Sequence, residues 1–426
     1  MNLTRDHEEI RPSANAAIRP AGGLLVAVCY SLLSFSATAA SNVTDDEFSD
    51  YYTRPCELGG PTLRDVYNWS RQEINAYQDA ICSELFTGGY TSGDSVSSSA
   101  GLGSISATSS TSEVSARQQT DSIEDRLNEL QDEEDTSSGW GLLLSAQTGE
   151  SDHDETRNEL GYDSDINSVV IGLDYRYSDA LVTGLAVGFT DDDTDYDGNS
   201  GNLDTDSESI IAYITYLVGG GGYVNGYIGY ASLDYDNKRR FKLENAAGTD
   251  FIVNDDISAN YDGDQNLIGA SAGYDWPIGN YTVGVFTNYD YSETDIDGYK
   301  EKGSTGYEMV FPDQRNRSST ISLGVNGSVA LDMGWAWLIP NASVQAVHES
   351  QNDSDKYKTR LVLIPEDSLD DFILETDDPD RDYGIVSLGA VIATHSGAQY
   401  FVTYEQVVNY DDYDIWSLSA GALIEF

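Results

Sequence analysis

The chain is short of cysteine, methionine, histidine and base, with 3 Cys, 3 Met, 4 His and 22 Lys plus Arg among 426 residues. So few bases against 73 acids leave a net charge of -51, which repels phosphate backbones at every approach and excludes nucleic acid as a partner. Long apolar stretches are also missing. The mean hydropathy is -0.39, and only residues 21–40, AGGLLVAVCYSLLSFSATAA, form an extended apolar run, which excludes a polytopic helical membrane protein. What is abundant is glycine (40) and aromatic residues (29 Tyr, 11 Phe, 6 Trp). Disordered acidic chains lack such aromatics, so the composition points to a β-rich envelope protein with room for two or three domains.

The apolar run ends in small residues that fit an Ala-x-Ala processing site between Ala37 and Ala40. Its uncharged core reaches only from Ala21 to about Phe35, short for a bilayer span, so residues 1–40 read as a secretory signal peptide. Cys29 leaves with it, and the bulky Val28 argues against a lipid-attachment site. Cys56 and Cys82 remain in a chain bound for an oxidising compartment. An even pair there predicts a Cys56–Cys82 disulfide, since a thiol or metal site at either lacks a nearby histidine.

Residues 41–86 carry Leu63, Val66, Trp69, Ile74, Tyr77, Ile81 and Leu85 at helical spacings, which predicts a small helical module stapled by that disulfide. Residues 87–117, opening TGGYTSGDSVSSSAGLGS, are Gly and Ser rich without periodicity and read as a flexible linker. In 118–135, Ile123, Leu127 and Leu130 then share one helical stripe, with Asp125, Arg126 and Glu129 between them.

From Gly139 to the last residue the hydrophobic period is two. Trp140, Leu142, Leu144 and Ala146 share a face, as do Val169, Ile171, Leu173, Tyr175 and Tyr177, whose opposite face carries Asp174 and Arg176. Such segments fall near 139–149, 164–178, 180–190, 207–218, 222–236, 259–276, 280–292, 317–331, 335–348, 383–395, 398–408 and 412–426, an even twelve. Tight turns near 178, 220, 278, 333 and 396 alternate with long polar segments at 150–163, 191–206, 237–258, 293–316 and 349–382. An even-stranded antiparallel barrel in a bilayer, both ends on the tight-turn side, produces that asymmetry, and lipid forbids leaving the apolar face as an open sheet. A soluble sandwich or propeller predicts shorter strands and no systematic loop asymmetry. Tyr177, Tyr223, Trp276, Trp335 and Trp337, near strand ends, fit interfacial girdles.

The chain closes on IWSLSAGALIEF, with Trp416, Leu418, Ala420, Ala422, Ile424 and Phe426 on one face. This resembles the terminal strand that the barrel-insertion machinery reads in Gram-negative outer membranes. The stretch from Gly172 to Ser207, Asp262-Gly263-Asp264-Gln265, Gly273-Tyr274-Asp275, YDYSETDIDGYKEKG from Tyr289 and His348-Glu349 follow in the same order as in the translocator domain of the autotransporter (type V secretion) family. The resemblance covers 139–426. It implies an all-β fold, a 12-stranded antiparallel transmembrane β-barrel with a pore helix and a small helical N-terminal segment. The pore helix falls on 118–135 with Ile123, Arg126, Leu127 and Leu130. It further implies an outer-membrane monomer among lipid and lipopolysaccharide, assembled by periplasmic chaperones and the insertion machinery, with long loops extracellular and tight turns periplasmic. One departure matters. Most members export a long repetitive passenger, whereas only 41–117 is available here and it holds no repeats.

Few constellations carry chemistry. Asp193, Asp195, Asp197, Gly198 and Asp204 reproduce the spacing of a calcium loop, although their flanks read as strands, and calcium or magnesium at the acidic loops is the only cofactor suggested. Gly93-Asp94-Ser95-Val96 resembles the nucleophile block of secreted esterases, but it lies in low-complexity sequence with no partner histidine in the soluble segment. His153, His348 and His395 all fall in the barrel region, so no catalytic residue is expected, the Asp152-His153-Asp154 run included. The function expected is translocation or display of the short N-terminal segment. The alternatives are a stand-alone channel and a loop-mediated adhesin.

Overall fold

The computed structural model describes residues 56, 64, 66, 68, 70–77, 102–132, 139–156, 159–244, 251–350, 356–364, 372–376 and 380–426. The signal segment, Cys82, the 93–96 block and much of the 41–86 module lie outside them. Within them, twelve strands form the wall: Trp140–His153 (β1), Tyr162–Ser178 (β2), Leu181–Tyr196 (β3), Gly201–Gly219 (β4), Gly222–Glu244 (β5), Phe251–Ile278 (β6), Tyr281–Ile296 (β7), Gln314–Val329 (β8), Ala336–Glu349 (β9), Asp382–Thr394 (β10), Ala398–Val408 (β11) and Tyr413–Glu425 (β12). Each pairs antiparallel with the next, and β12 returns to β1 in a register running from Gly141 opposite Glu425 to His153 opposite Tyr413. The sheet therefore closes on itself, and around the closed part of the wall the ladder amides find partners without water.

Alternation sets what faces where. Val169, Ile171 and Leu173 of β2 and Leu185, Val187 and Phe189 of β3 point outward and are exposed, while Ser164, Ser168, Asp174 and Arg176 point into the barrel and are buried. Apolar groups outside and polar groups inside suit a wall with lipid on one side and a polar lumen on the other. Trp140, Tyr177, Trp276, Trp335, Trp337 and Phe426 ring the tight-turn rim, where Gly279 takes the left-handed φ of +68° that a two-residue hairpin requires. Tyr223 departs from the expected girdle. Its strand parity turns it inward, and its ring fills the space over Gly273, where an added Cβ would stand 2.2 Å from the Tyr223 hydroxyl.

The long polar segments differ from expectation. Residues 191–206 are the upper parts of β3 and β4, joined by the short Asp197–Asn199 turn, and β5 and β6 stay paired from Glu244 opposite Phe251 down to Gly222 opposite Tyr274. Their period of two continues, but the outward residues change from apolar to acidic, so they look like loops to a hydropathy reading. Short strands at Tyr299–Lys300, Met309–Phe311, Lys356–Leu361 and Phe372–Glu375 build a second small sheet at this end.

Two helices are described. Arg71–Tyr77 (α1) starts with a reciprocal cap, the Ser70 amide donating to the Glu73 carboxylate at 2.7 Å and the Glu73 amide to the Ser70 hydroxyl at 3.3 Å. Cys56 is disulfide-bonded. Leu102–Asp132 (α2) starts well before the expected 118, so the second half of the 87–117 segment, expected as a linker, is helical. Ser, Thr and Gly are weak helix formers with no apolar stripe to read. Here they are held by hydrogen bonds to the wall, which local sequence does not show.

Candidate functional site

The site is the occupied lumen. A 31-residue helix is about 46 Å long, enough to traverse the barrel. At its start, Thr108 Oγ1 lies 2.8 Å from the Tyr261 hydroxyl and Ser112 Oγ lies 2.6 Å from that of Tyr235, both at the long-strand end. Midway, Gln119 Nε2 donates to Thr190 Oγ1 at 3.0 Å and to Ser207 Oγ at 3.1 Å. Near its end, Ile123 and Leu127 are fully buried against Leu143, Val170, Val182, Ala186 and Ile211. The chain thus enters the lumen at the end opposite the tight turns and leaves it beside the start of β1.

Arg126 anchors this arrangement. It is 0% exposed, and its Nε and Nη2 each donate to the Asp174 carboxylate at 2.8 Å, a two-pronged bond, while the Tyr213 hydroxyl donates to the same group at 3.0 Å. Glu425 of the last strand lies 3.9 Å from Nη2. The pair sits on the bare backbone of Gly141, where an added Cβ would stand 2.3 Å from Asp174 Oδ1 and 2.6 Å from Arg126 Nη2. Arg126, Ile123 and Leu127, singled out above, therefore meet at one place; the Leu130 side chain lies outside the described set.

α2 is eccentric, packed against β1–β5. On its other side a cavity of about 320 Å³ runs along β7–β11, lined by Glu113, Asp121, Glu124 and Asp125 of the helix and by Asp290 and Glu405 of the wall. Arg117 reaches across to Glu405 at 2.9 Å.

The calcium-loop reading fails on geometry. Asp193 and Asp195 lie on extended β3, and Asp204 stands directly across from Asp193 on β4, so only Asp197 occupies the turn and the carboxylates do not converge. Among the described residues no group of three His, Cys, Asp or Glu could hold a metal ion. What the spacing encoded is a ladder on the outer surface. Glu150, Asp165, Asp193, Asp204 and Asp236 stand opposite one another across five strands, and Asp191, Asp206, Asp234 and Asp262 across four. Like charges so placed destabilise a sheet.

Partial burial, followed by the charges of Asp193, Asp206 and Asp204, raises the Asp191 carboxyl above the ordinary carboxylate value. The folded wall then holds this proton more tightly than the unfolded chain, so its contribution to stability rises as pH falls from neutrality and levels off below the ordinary carboxylate value. Asp191→Asn is expected to raise the unfolding midpoint at pH 7 and to flatten its rise toward pH 5, measured by the temperature at which folded-state electrophoretic mobility is lost.

The three described histidines are not brought together. His153 is buried, its Nε2 3.2 Å from Glu159 and its Nδ1 3.2 Å from the Asp412 carbonyl oxygen. His348 contacts exposed Asp382 at 2.8 Å, and His395 Nδ1 lies 2.8 Å from the Trp335 carbonyl at the tight-turn rim. Trp416, Leu418, Ala420, Ala422 and Ile424 share the outward face of β12, with Phe426 just past its end, and Trp416 donates to Glu150 across the closing seam at 3.0 Å.

Residues 142–405 match the family described as autotransporter beta-domain. The chain belongs to that family. This autotransporter β-domain is similar in fold to the translocator domain of NalP from Neisseria meningitidis, with a TM-score of 0.52 and 18% identity over 72% of this chain and 96% of that one. It is also similar to the β domain of the Bordetella autotransporter Brka, with a TM-score of 0.50 and 18% identity over 68% and 100% of the two chains. In sequence, the chain aligns with a Pseudomonas putida protein from the trpE-trpG intergenic region at 27% identity over 206 residues, 46% of this chain and 32% of that protein. Esterase EstA of Pseudomonas aeruginosa aligns at 24% over 187 residues, 42% of this chain and 27% of the esterase. The chain spans about a third or less of those two relatives. An outer-membrane location follows from the family.

Proposed function

We propose that this autotransporter β-domain exports its own short N-terminal segment and displays it at the cell surface, with the long-strand end outside and the tight turns in the periplasm. The observation that carries the reading is the path of α2, which joins the upstream chain at one mouth to β1 at the other. The outward face from Trp416 to Phe426 is the insertion signal handed from periplasmic chaperones to the insertion machinery, and the barrel works as a monomer without nucleic acid or a catalytic group. Its surroundings are lipid and lipopolysaccharide. Calcium or magnesium, bound diffusely, offsets the repulsion along the Asp191 and Asp193 ladders and bridges them to anionic lipid heads. Added magnesium is expected to raise the unfolding midpoint of the wild type more than that of Asp193→Asn.

The test of display is protease treatment of intact cells carrying a tag after Ala40. Display predicts that the tag is removed from outside; a tag that survives while the 293–316 segment is cut would refute it. The cavity beside α2 favours a second reading, a channel, which predicts steady ion conductance of the full chain in planar bilayers with the tag protected. An adhesin predicts instead that deleting 349–382 or 293–316 abolishes surface attachment.

A further inference from the structure

We propose that α1, together with Cys56, is a fixed cap on the outer mouth of its own barrel, and that the stretch 299–309 is the platform built to hold it. The inference rests on the display reading for its orientation, but the contact itself is independent of which mouth faces outward.

The platform is constructed in a way that exposed loops are not. Tyr299 stacks on Tyr261 with ring centres 4.0 Å apart and the planes 8° from parallel, and Phe241 stacks on Tyr307 at 4.3 Å. Tyr299, Tyr307, Met309, Phe311, Leu361 and Ile364 are all buried in one cluster with the upper wall. Burial lifts the Tyr299 phenol well above its ordinary range. Two buried carboxylates then fix the backbone. Glu301 accepts both prongs of Arg239 at 2.7 Å and the Met309 amide at 2.7 Å, while Arg239 also donates to the Tyr307 carbonyl at 2.9 Å. Glu308 accepts from the Thr305 amide at 2.6 Å, the Thr305 hydroxyl at 2.9 Å and the Gly306 amide at 3.1 Å.

Surface loops are ordinarily mobile, and taking a charged pair out of water is costly. A segment that only joins β7 to β8 gains nothing from that expense, whereas one that presents a fixed surface does. What it presents is the bare backbone of Gly306. Its left-handed φ of +89° suits glycine, and an added Cβ would stand 2.4 Å from the hydroxyl of Tyr77, the last residue of α1. Tyr77 and Cys56 both pack against the same cluster, and Ile74 between them is 3% exposed. Between α1 and α2 the sequence passes through the Gly/Ser-rich stretch that opens at Thr87, and the contacts named here all come from residues outside that stretch.

The test uses the purified full chain in detergent micelles with a protease site placed between Ser92 and Ser99. After cleavage, the wild-type N-terminal fragment is expected to co-elute with the barrel on size exclusion. Tyr77→Ala is expected to raise the released fraction at least about tenfold, as for an aromatic anchor of an interface, with the barrel still showing folded electrophoretic mobility. Release of the wild-type fragment at once, or equal retention of both forms, would overturn the cap. Cutting the same site in intact cells reads the display proposal separately. A site cut only after the outer membrane is opened refutes display, whatever the retention measured in micelles.

Discussion

Replacing Arg126 by alanine is expected to cost about 3–5 kcal/mol of folded stability, the penalty for removing one partner of a buried ion pair. Asp174, 3% exposed, is left without its guanidinium partner, and the Tyr213 hydroxyl still donates to it. The loss should appear as a lower temperature for the loss of folded mobility and as protease access to the lumen segment 118–132. Adding Asp174→Asn to Arg126→Ala should recover most of it, because the orphaned charge and not the missing contact dominates. Gly141→Ala provides an independent approach, since its methyl group would collide with both members of the pair at 2.3 and 2.6 Å. Wild-type behaviour of Arg126→Ala alone would mean that the helix is held by its polar contacts higher up, at Gln119, Ser112 and Thr108.

That dependence explains which parts of the molecule could be read from sequence. The wall was legible because lipid on one side and polar lumen on the other force a period of two: Ile171 and Leu173 outward, Asp174 and Arg176 inward. The stripe of Ile123 and Leu127 was legible for the same reason, being the apolar part of α2. Residues 102–117 were not, since their helix rests on partners such as Tyr235 and Tyr261 more than a hundred positions away. The upper strands were hidden because their outward residues are aspartates, and the local spacing from Asp193 to Asp204 imitates a calcium loop until the cross-strand register is known. The seat of Tyr77 over Gly306 joins two residues that share no local pattern at all.

The second large effect concerns the outer face. Val218, Tyr216, Ile214 and Ile210 of β4 are exposed and apolar, and Glu208 is the next polar residue on the same face. If this belt lies in lipid, Ile214→Arg at its centre should cost about 2–4 kcal/mol in urea titrations in phospholipid vesicles, whereas Glu208→Arg should change stability by only ~0–1 kcal/mol. The comparison is a strict one. Both changes place an arginine on one strand and one face, both leave the lumen and its helix untouched, and they differ only in depth. At Glu208 the new charge meets water and a carboxylate-rich neighbourhood that includes Asp206; at Ile214 it meets hydrocarbon and must bend toward the rim to be hydrated. Equal effects at the two positions would show that the apolar belt is not immersed, and a wall of greasy outward rows without lipid around it would need another partner to cover Ile210, Ile214 and Val218.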